Sequence, residues 1–163
     1  LHLSIRRQRQ MCIRDRPKDI PMYLEVSPRI GTGGQPTDAG FRLLAEKGYK
    51  AVISLRTANE KVDLEAEKKL IESLGLRYYG IPVVGLDPKD EQAQEFLKLM
   101  EALKEEKVFV HCAAANRVGG FMLIQRVLQE GMSIEKAEEE AARIGLRSDK
   151  LRDFAREFIK KYR

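Results

Sequence analysis

The sequence has few residues of the kinds that build disulfide scaffolds, metal sites and membrane spans. It contains 2 cysteines and 2 histidines in 163 residues, which excludes a disulfide-rich fold and favours a reducing compartment. One of the histidines is His2, near the chain start, so no metal site is predicted. No apolar run approaches the roughly 18 residues that a membrane helix needs. We therefore predict a cytoplasmic protein with no membrane partner.

Positive charge is concentrated at the beginning of the chain. The formal net charge is +5, and residues 1–16 contain five arginines and one aspartate. The remaining sequence is nearly balanced, so no nucleic-acid partner is predicted. Residues 1–16 lack an amphipathic period and resemble translated sequencing-adapter read-through, so we interpret them as a non-native, disordered tail. If such a tail replaced the native N-terminus, an export signal would have been lost, and export is the alternative to a cytoplasmic location.

From residue 17 onward, the apolar residues alternate between strand and helix patterns. Strands are predicted at 22–29, 50–55, 76–83 and 107–111, and helices at 37–47, 59–74, 87–103, 118–130, 133–144 and 149–162. The glycine-rich residues 30–36 are predicted to form a turn-rich link. This order predicts a single α/β domain with a mainly parallel central sheet flanked by helices. Ligands of such sheets bind at the carboxyl ends of the strands.

The glycines at the start of this link do not indicate a nucleotide cofactor. Gly31 and Gly33 have the spacing of a dinucleotide-binding motif, but Pro36 occupies the position of its third glycine. The motif therefore fails, and no cofactor is predicted.

The most informative segment joins an apolar strand to an apolar helix through a cysteine and an arginine. It reads Val108-Phe-Val-His-Cys-Ala-Ala-Ala-Asn-Arg117. Backbone N–H groups and the dipole at a helix start favour negative charge, which lowers a thiol pKa and favours the reactive thiolate. The same amides can bind an oxyanion, and an arginine can clamp it in a bidentate manner. The predicted anion-binding groups are the backbone amides of residues 113–117, which are Ala113, Ala114, Ala115, Asn116 and Arg117, together with the guanidinium of Arg117.

Each residue of this segment also has a simpler interpretation. Cys112 could be an inert core residue, since free cysteines are often buried. Arg117 could form an ordinary salt bridge, although a cation at a helix start favours an anionic ligand or a carboxylate partner. His111 is expected to pack, form hydrogen bonds and orient the loop. Gly119 and Gly120 are costly inside a helix, which indicates close packing against another backbone.

Four short motifs along the chain resemble one family of phosphatases. They are Gly34-Gln35-Pro36, Leu55-Arg56, Ile81-Pro82 and the segment from His111 to Gly119, which reads His-Cys-x4-Arg-Val-Gly. In order and spacing they resemble the cysteine-dependent protein tyrosine and dual-specificity phosphatases. The resemblance is strongest to the bacterial phosphatase-like domain of beta-lactamase-hydrolase-like proteins.

The resemblance implies a cysteine-phosphatase fold over residues 17–163 and a phosphorylated or other small anionic substrate. It implies that Cys112 attacks phosphorus and that Arg117 stabilises the transition state. In the family, an Asp on a nearby loop protonates the leaving group. Asp87 and Asp90 follow the Ile-Pro strand in the corresponding region. Asp87 is the candidate, although it could instead cap the next helix. Gln35 and Arg56 are expected to support the pocket, with loop-turn and salt-bridge roles as alternatives.

Three departures from the phosphatase pattern keep other functions open. Arg117 follows Cys112 by five residues rather than six, Val118 lacks the hydroxyl group usual at that position, and Ala115 replaces a frequent glycine. The shorter loop has the length found in rhodanese-type sulfurtransferases and suits a persulfide or a small oxyanion. A non-catalytic module that only binds anions is the third hypothesis.

Overall fold

A five-stranded mixed sheet forms the centre of the computed structural model, which describes residues 17–163. The tail proposed for residues 1–16 lies outside the described residues. The strands are β1 (Leu24–Ser27), β2 (Ile30–Gly33), β3 (Ala51–Ser54), β4 (Arg77–Gly80) and β5 (Val108–His111). Their spatial order is β1-β2-β5-β3-β4, with β1 antiparallel to β2 and every other pair parallel. The predicted α/β class with a mainly parallel sheet is confirmed.

Helices follow the strands much as the apolar pattern predicts. They are α1 (Asp38–Glu46), α2 (Leu64–Ser73), α3 (Asp90–Ala102), α4 (Asn116–Leu128), α5 (Ile134–Ile144) and α6 (Asp149–Tyr162). Thr37 and Ser133, the first residues of two predicted helices, cap α1 and α5, since their side chains accept hydrogen bonds from the first turns of these helices. Within residues 17–163, no helix is long and apolar enough to cross a membrane.

The prediction of a turn-rich link at residues 30–36 is wrong for its first half. Ile30–Gly33 is a fully buried strand that pairs in parallel with β5. A Cβ atom on Gly31 would lie 2.0 Å from the hydroxyl oxygen of Tyr49. The glycine is therefore required by close packing against Tyr49, and it does not mark a turn.

Two helices begin later in the chain than predicted. Helix α2 starts at Leu64, because the side chain of Asp63 caps it by accepting a hydrogen bond from the Ala66 amide. Helix α3 starts at Asp90, with Lys89 as its N-cap residue. The predicted helix opening at Asp87 and Pro88 is therefore wrong, and Asp87 does not cap the helix.

The sheet topology places β5 between β2 and β3, so the loop that follows β5 has parallel neighbours on both sides. The helix after this loop, α4, is buried along almost its whole length. At Gly119 of α4, an added Cβ atom would lie 2.8 Å from the Leu146 backbone nitrogen, which confirms the close packing predicted there. At Gly120 the nearest atom would be 3.5 Å away, which is ordinary contact.

Candidate active site

Cys112 lies directly at the carboxyl end of the central strand β5. The residue is 1% exposed, and α4 begins four residues later at Asn116. Ala115, the N-cap residue of α4, has the left-handed backbone conformation with φ of 64°. This conformation favours glycine over alanine by roughly 1 kcal/mol, and it turns the chain sharply from the strand into the helix. The loop from 112 to 117 is therefore tightly curved around the helix start.

The carbonyl oxygens of this loop are all occupied by hydrogen bonds. From residue 112 to residue 115, their partners are His111 Nδ1 at 3.2 Å, Gln35 N at 3.0 Å, Arg147 Nη2 at 3.1 Å and Gly119 N at 3.0 Å. In a trans peptide the N–H of the next residue points away from the carbonyl. Within the described part of the chain, none of the backbone N–H groups of 113–117 donates a hydrogen bond. These amides are thus oriented together and available to an anion.

The loop after β2 fixes one side of this arrangement. The Gln35 amide donates to the Ala113 carbonyl. The backbone of Gly34 also lies against this carbonyl, so that an added Cβ atom would be 2.7 Å from the Ala113 oxygen. Real Cβ atoms essentially never approach an oxygen that closely. The glycine of the Gly34-Gln35-Pro36 motif is therefore needed because two loops touch through their backbones.

Arg117 is held by a carboxylate that the sequence motifs do not include. Its guanidinium donates from Nη1 to Glu60 Oε2 and from Nη2 to Glu60 Oε1, each at 2.8 Å. Nη1 also donates to the carbonyl oxygens of Val83 at 2.9 Å and Leu55 at 3.3 Å. The arginine is therefore anchored between the ends of three segments. A cation at a helix start is expected to have an anionic partner, and Glu60 is that partner for Arg117.

The charges of this pair shift each other's pKa. The hydrogen bond from Arg117, helped by the Thr57 backbone amide and opposed by partial burial, lowers the pKa of Glu60 to about 2. For Arg117, burial opposes the charge, but the Glu60 carboxylate and the nearby Cys112 sulfur raise the pKa above its usual value. Both groups are therefore charged at neutral pH, and the guanidinium lies beside the cysteine sulfur.

A chain of polar side chains connects Arg117 to the far side of the cysteine loop. Arg56 donates to Glu60 at 3.0 Å and to Gln35 at 3.0 Å. Gln35 in turn donates to Glu67 at 2.7 Å. Glu67 ends the chain, with its Oε2 3.0 Å from Nε2 of the fully buried His111. Gln35, Arg56 and His111 are thus brought together, and His111 and Gln35 also hold the loop through the Cys112 and Ala113 carbonyls.

Acid should weaken the fold through this network. Burial opposes ionisation of Glu67, but its interactions with His111 and Gln35 keep its pKa below the ordinary value, as for Glu60. Carboxylates with a lowered pKa in the folded state contribute stability above their ordinary value of 4.5, and this stability is lost as the pH falls towards the folded-state pKa.

We therefore expect the melting temperature to fall steadily between about pH 5 and pH 2, with a shallower fall in Glu60→Gln. The measurement is thermal unfolding by circular dichroism across that range. Glu105→Gln, at an exposed site in a turn, serves as the control and should keep the wild-type slope. An unchanged slope in Glu60→Gln would contradict the assigned pKa.

The candidate acid, Asp87, lies on the exposed segment between β4 and α3. Its side chain is 65% exposed and forms a salt bridge with Lys89 at 2.9 Å. Asp90, the other acid of this segment, accepts a hydrogen bond from Lys161 at 2.7 Å at the start of α3. Asp87 is therefore the more accessible of the two carboxylates. The structure does not bring it into contact with Cys112 or Arg117.

A cavity of about 490 Å³ opens above the loop. Cys112 and Arg117 lie in its wall with Glu60, and Val84 and Leu86 form part of its edge. Leu86 is 80% exposed, so the edge offers apolar surface to solvent. A phosphate group with an organic substituent would find amides and a guanidinium at the cysteine and apolar contacts at the edge.

Sequence reasoning missed Glu60 and Glu67. Glu60 lies in an irregular turn, where its carboxylate accepts hydrogen bonds from the backbone and hydroxyl of Thr57, and no periodicity marks it. Glu67 carried a usable signal. It precedes Ile71 and Leu74 by four and seven residues, which places this acid on the buried face of α2.

Comparison with known proteins places the whole described region in one group. Residues 17–159 match the family described as a DSP-PTPase phosphatase fused to NAD+ kinase. A beta-lactamase hydrolase-like protein of Xylella fastidiosa (strain Temecula1) is 27% identical over 118 residues, which cover 71% of this chain and 27% of that protein. The chain therefore spans only about a quarter of the length of the curated relatives that it matches.

Solved structures agree with this assignment. A DUF442 protein from Shewanella putrefaciens CN-32 has 26% sequence identity and a TM-score of 0.76, and the match covers 90% of this chain and 94% of that one. TpbA of P. aeruginosa, solved in complex with pTyr, shares the fold at 20% identity and a TM-score of 0.67, with coverage of 89% and 91%.

Proposed function

Because the chain belongs to the DSP-PTPase phosphatase family described as fused to NAD+ kinase, we propose that it hydrolyses phosphate monoesters through a covalent phosphocysteine on Cys112. The observation that carries the proposal is the shared position of three groups. Cys112, Arg117 and the loop residues Ala113, Ala114 and Asn116 line one cavity at the start of α4. Within residues 17–163, the backbone amides of 113–117 donate no hydrogen bond to the protein. That combination provides a nucleophile and an oxyanion site in a single loop.

In the proposed reaction, the thiolate of Cys112 attacks phosphorus while the bond from phosphorus to the leaving oxygen breaks. The leaving oxygen takes a proton from Asp87. Water then attacks the phosphocysteine, the sulfur–phosphorus bond breaks, and the Asp87 carboxylate takes the proton of the water. Inorganic phosphate leaves, and the thiolate is restored. In both steps the loop amides and Arg117 bind the equatorial oxygens, where negative charge accumulates.

Glu60 acts in this proposal as the residue that positions Arg117. The two parallel hydrogen bonds between them fix the plane of the guanidinium. The Val83 and Leu55 carbonyls hold the same Nη1 atom from the ends of two neighbouring segments. A preorganised cation of this kind needs little rearrangement when the transition state forms.

The experiment that tests the function is to identify the adduct formed on Cys112. The protein is mixed with 4-nitrophenyl phosphate, quenched in acid within one turnover, and digested for mass spectrometry of the Cys112 peptide. A phosphoryl group on the cysteine together with phosphate release supports the proposal. If thiosulfate instead leaves a cyanide-releasable sulfur on Cys112 and no phosphoryl adduct forms, the protein is a sulfurtransferase. Phosphate binding without any adduct would identify an anion-binding module.

The role of Asp87 can be tested through the leaving group. Asp87→Asn should slow the hydrolysis of phenyl phosphate by about 10²-fold and that of 4-nitrophenyl phosphate much less, because a good leaving group needs little protonation. The measurement is kcat for a series of aryl phosphates of increasing leaving-group pKa. Asp90→Asn, which removes the neighbouring acid bound to Lys161, is expected to keep the wild-type dependence. An equal loss on all substrates in Asp87→Asn would exclude the acid role.

A further inference from the structure

A second arginine lies at the opening of the cavity and is not explained by the chemistry at Cys112. Arg147, in the connection between α5 and α6, lies in the wall of the same cavity as Cys112 and Arg117. Its side chain is exposed. A cation in this position contacts whatever part of a substrate projects out of the loop.

The position of Arg147 is fixed by contacts to the loop itself. Its guanidinium donates to the Ala114 carbonyl at 3.1 Å. Its backbone amide donates to Asn116 Oδ1 at 2.9 Å, and the Ser148 amide donates to the same oxygen at 3.2 Å. The side chain of Asn116, whose backbone amide is predicted to bind the anion, thus anchors the connection between α5 and α6. Arg147 is therefore attached to the predicted anion cradle through both its backbone and its side chain.

The charge of Arg147 has no carboxylate partner within residues 17–163, in contrast to the other arginines of the site. Arg56 and Arg117 both bind Glu60. Arginine has five N–H donors in a planar fork, and Arg147 uses only some of them on the Ala114 carbonyl and in a long contact to the Met22 sulfur. The remaining donors are available to a carboxylate or a phosphate.

On these grounds, and resting on the proposed phosphatase activity, we propose that Arg147 recognises a second anionic group on the substrate. The preferred substrate is then a small phosphate monoester that carries another phosphate or a carboxylate. The scissile phosphate occupies the loop beside Arg117, the second anion binds Arg147, and the organic portion between them contacts the apolar edge at Val84 and Leu86. The cavity of about 490 Å³ is much larger than a phosphate ion and has room for such a molecule.

The test compares three aryl phosphates that differ in their second substituent. They are phenyl phosphate, 1,3-phenylene bisphosphate and 3-carbamoylphenyl phosphate, in which a neutral amide replaces the second anion. The wild-type protein should show a kcat/KM for the bisphosphate about three- to tenfold above that for the amide, as expected for one charge-assisted contact at a cavity edge. The difference should lie mainly in KM and shrink with added salt.

Arg147→Gln should reduce this ratio to about two, the statistical factor for a substrate with two equivalent phosphates, and the ratio cancels any general loss of activity caused by the substitution. Arg143→Gln, an exposed arginine in the last turn of α5, should keep the wild-type ratio. A wild-type ratio of about two or less, or a higher ratio that survives in Arg147→Gln, would overturn the proposal while leaving phosphatase activity intact.

Binding separates the failure of this proposal from the failure of the proposed function. If no aryl phosphate is hydrolysed, the phosphatase assignment fails. Calorimetric titration of the wild-type and Arg147→Gln proteins with the bisphosphate and with phenyl phosphate still tests Arg147. A preference for the bisphosphate that disappears in Arg147→Gln supports the second anion site, and equal binding of the two compounds refutes it.

Discussion

Cys112→Ser is expected to reduce the hydrolysis of phenyl phosphate by at least about 10³-fold, the largest effect of any single substitution in this chain. A serine hydroxyl is similar in size to the thiol, but it remains protonated at neutral pH and is a poor nucleophile without an adjacent base. The side chain is buried in the tightly curved loop, so this small change should leave the fold intact. The measurement is phosphate release under single-turnover and steady-state conditions.

Retained anion binding distinguishes lost chemistry from a damaged site. Because the amides and Arg117 remain in place, Cys112→Ser should bind inorganic phosphate with an affinity close to that of the wild type, as measured by calorimetry. Ala113→Ser, which introduces a hydroxyl one residue away, is a useful control and should retain much of the activity. Comparable hydrolysis rates in Cys112→Ser and the wild type would rule out the covalent mechanism.

Arg117→Met should have the second largest effect, with kcat/KM reduced by roughly 10²- to 10³-fold, the loss typical when one donor to a developing oxyanion is removed. The same substitution should also destabilise the fold. It leaves the half-buried Glu60 carboxylate with Arg56 as its remaining guanidinium partner, at a cost of about 1–2 kcal/mol. Thermal unfolding and aryl phosphate hydrolysis are measured on the same preparations.

The double variant Arg117→Met/Glu60→Gln separates these two consequences. A neutral amide at position 60 no longer needs a second guanidinium, and its oxygen can still accept the hydrogen bond from Arg56, so stability should recover in part while hydrolysis stays low. If hydrolysis recovered along with stability, the arginine would have a structural role only. Such a result would remove the oxyanion clamp from the mechanism.

The parts of the fold that the sequence predicts well are those in which burial follows a simple period. The strands β3 and β5 are continuous apolar runs, and the bounds of α6 agree with its amphipathic pattern. Strand β2 is not predicted because its glycines are required by packing, Gly31 against Tyr49 and Gly33 against Phe109 and Ile20, and glycine has low strand propensity. The predicted start of α3 at residue 87 is wrong because an Asp followed by a Pro is typical of a helix start, whereas the helix begins at Asp90 with Lys89 as its N-cap residue.

Part of the site consists of residues that are close in the sequence, and the rest consists of residues that only the fold brings together. The loop from Cys112 to Arg117 is contiguous, so its chemistry is visible in the sequence. Glu60 and Arg147 lie 57 and 30 residues from Arg117 in the chain, and only the folded sheet brings them to the cavity. Their participation depends on tertiary geometry that neither propensity nor hydrophobic spacing encodes.

The backbone contact between Gly34 and Ala113 has a further consequence for how the domain responds to its ligands. This contact joins an early loop to the cysteine loop, and Arg147 and Asn116 join that loop to the last third of the chain. Opening any of these segments would dismantle the anion cradle as well. Affinity for an anion therefore adds to the free energy of global unfolding, by about 2.7 kcal/mol when the ligand is present at a hundred times its Kd. Occupancy of the pocket would then determine how long the protein survives proteolysis.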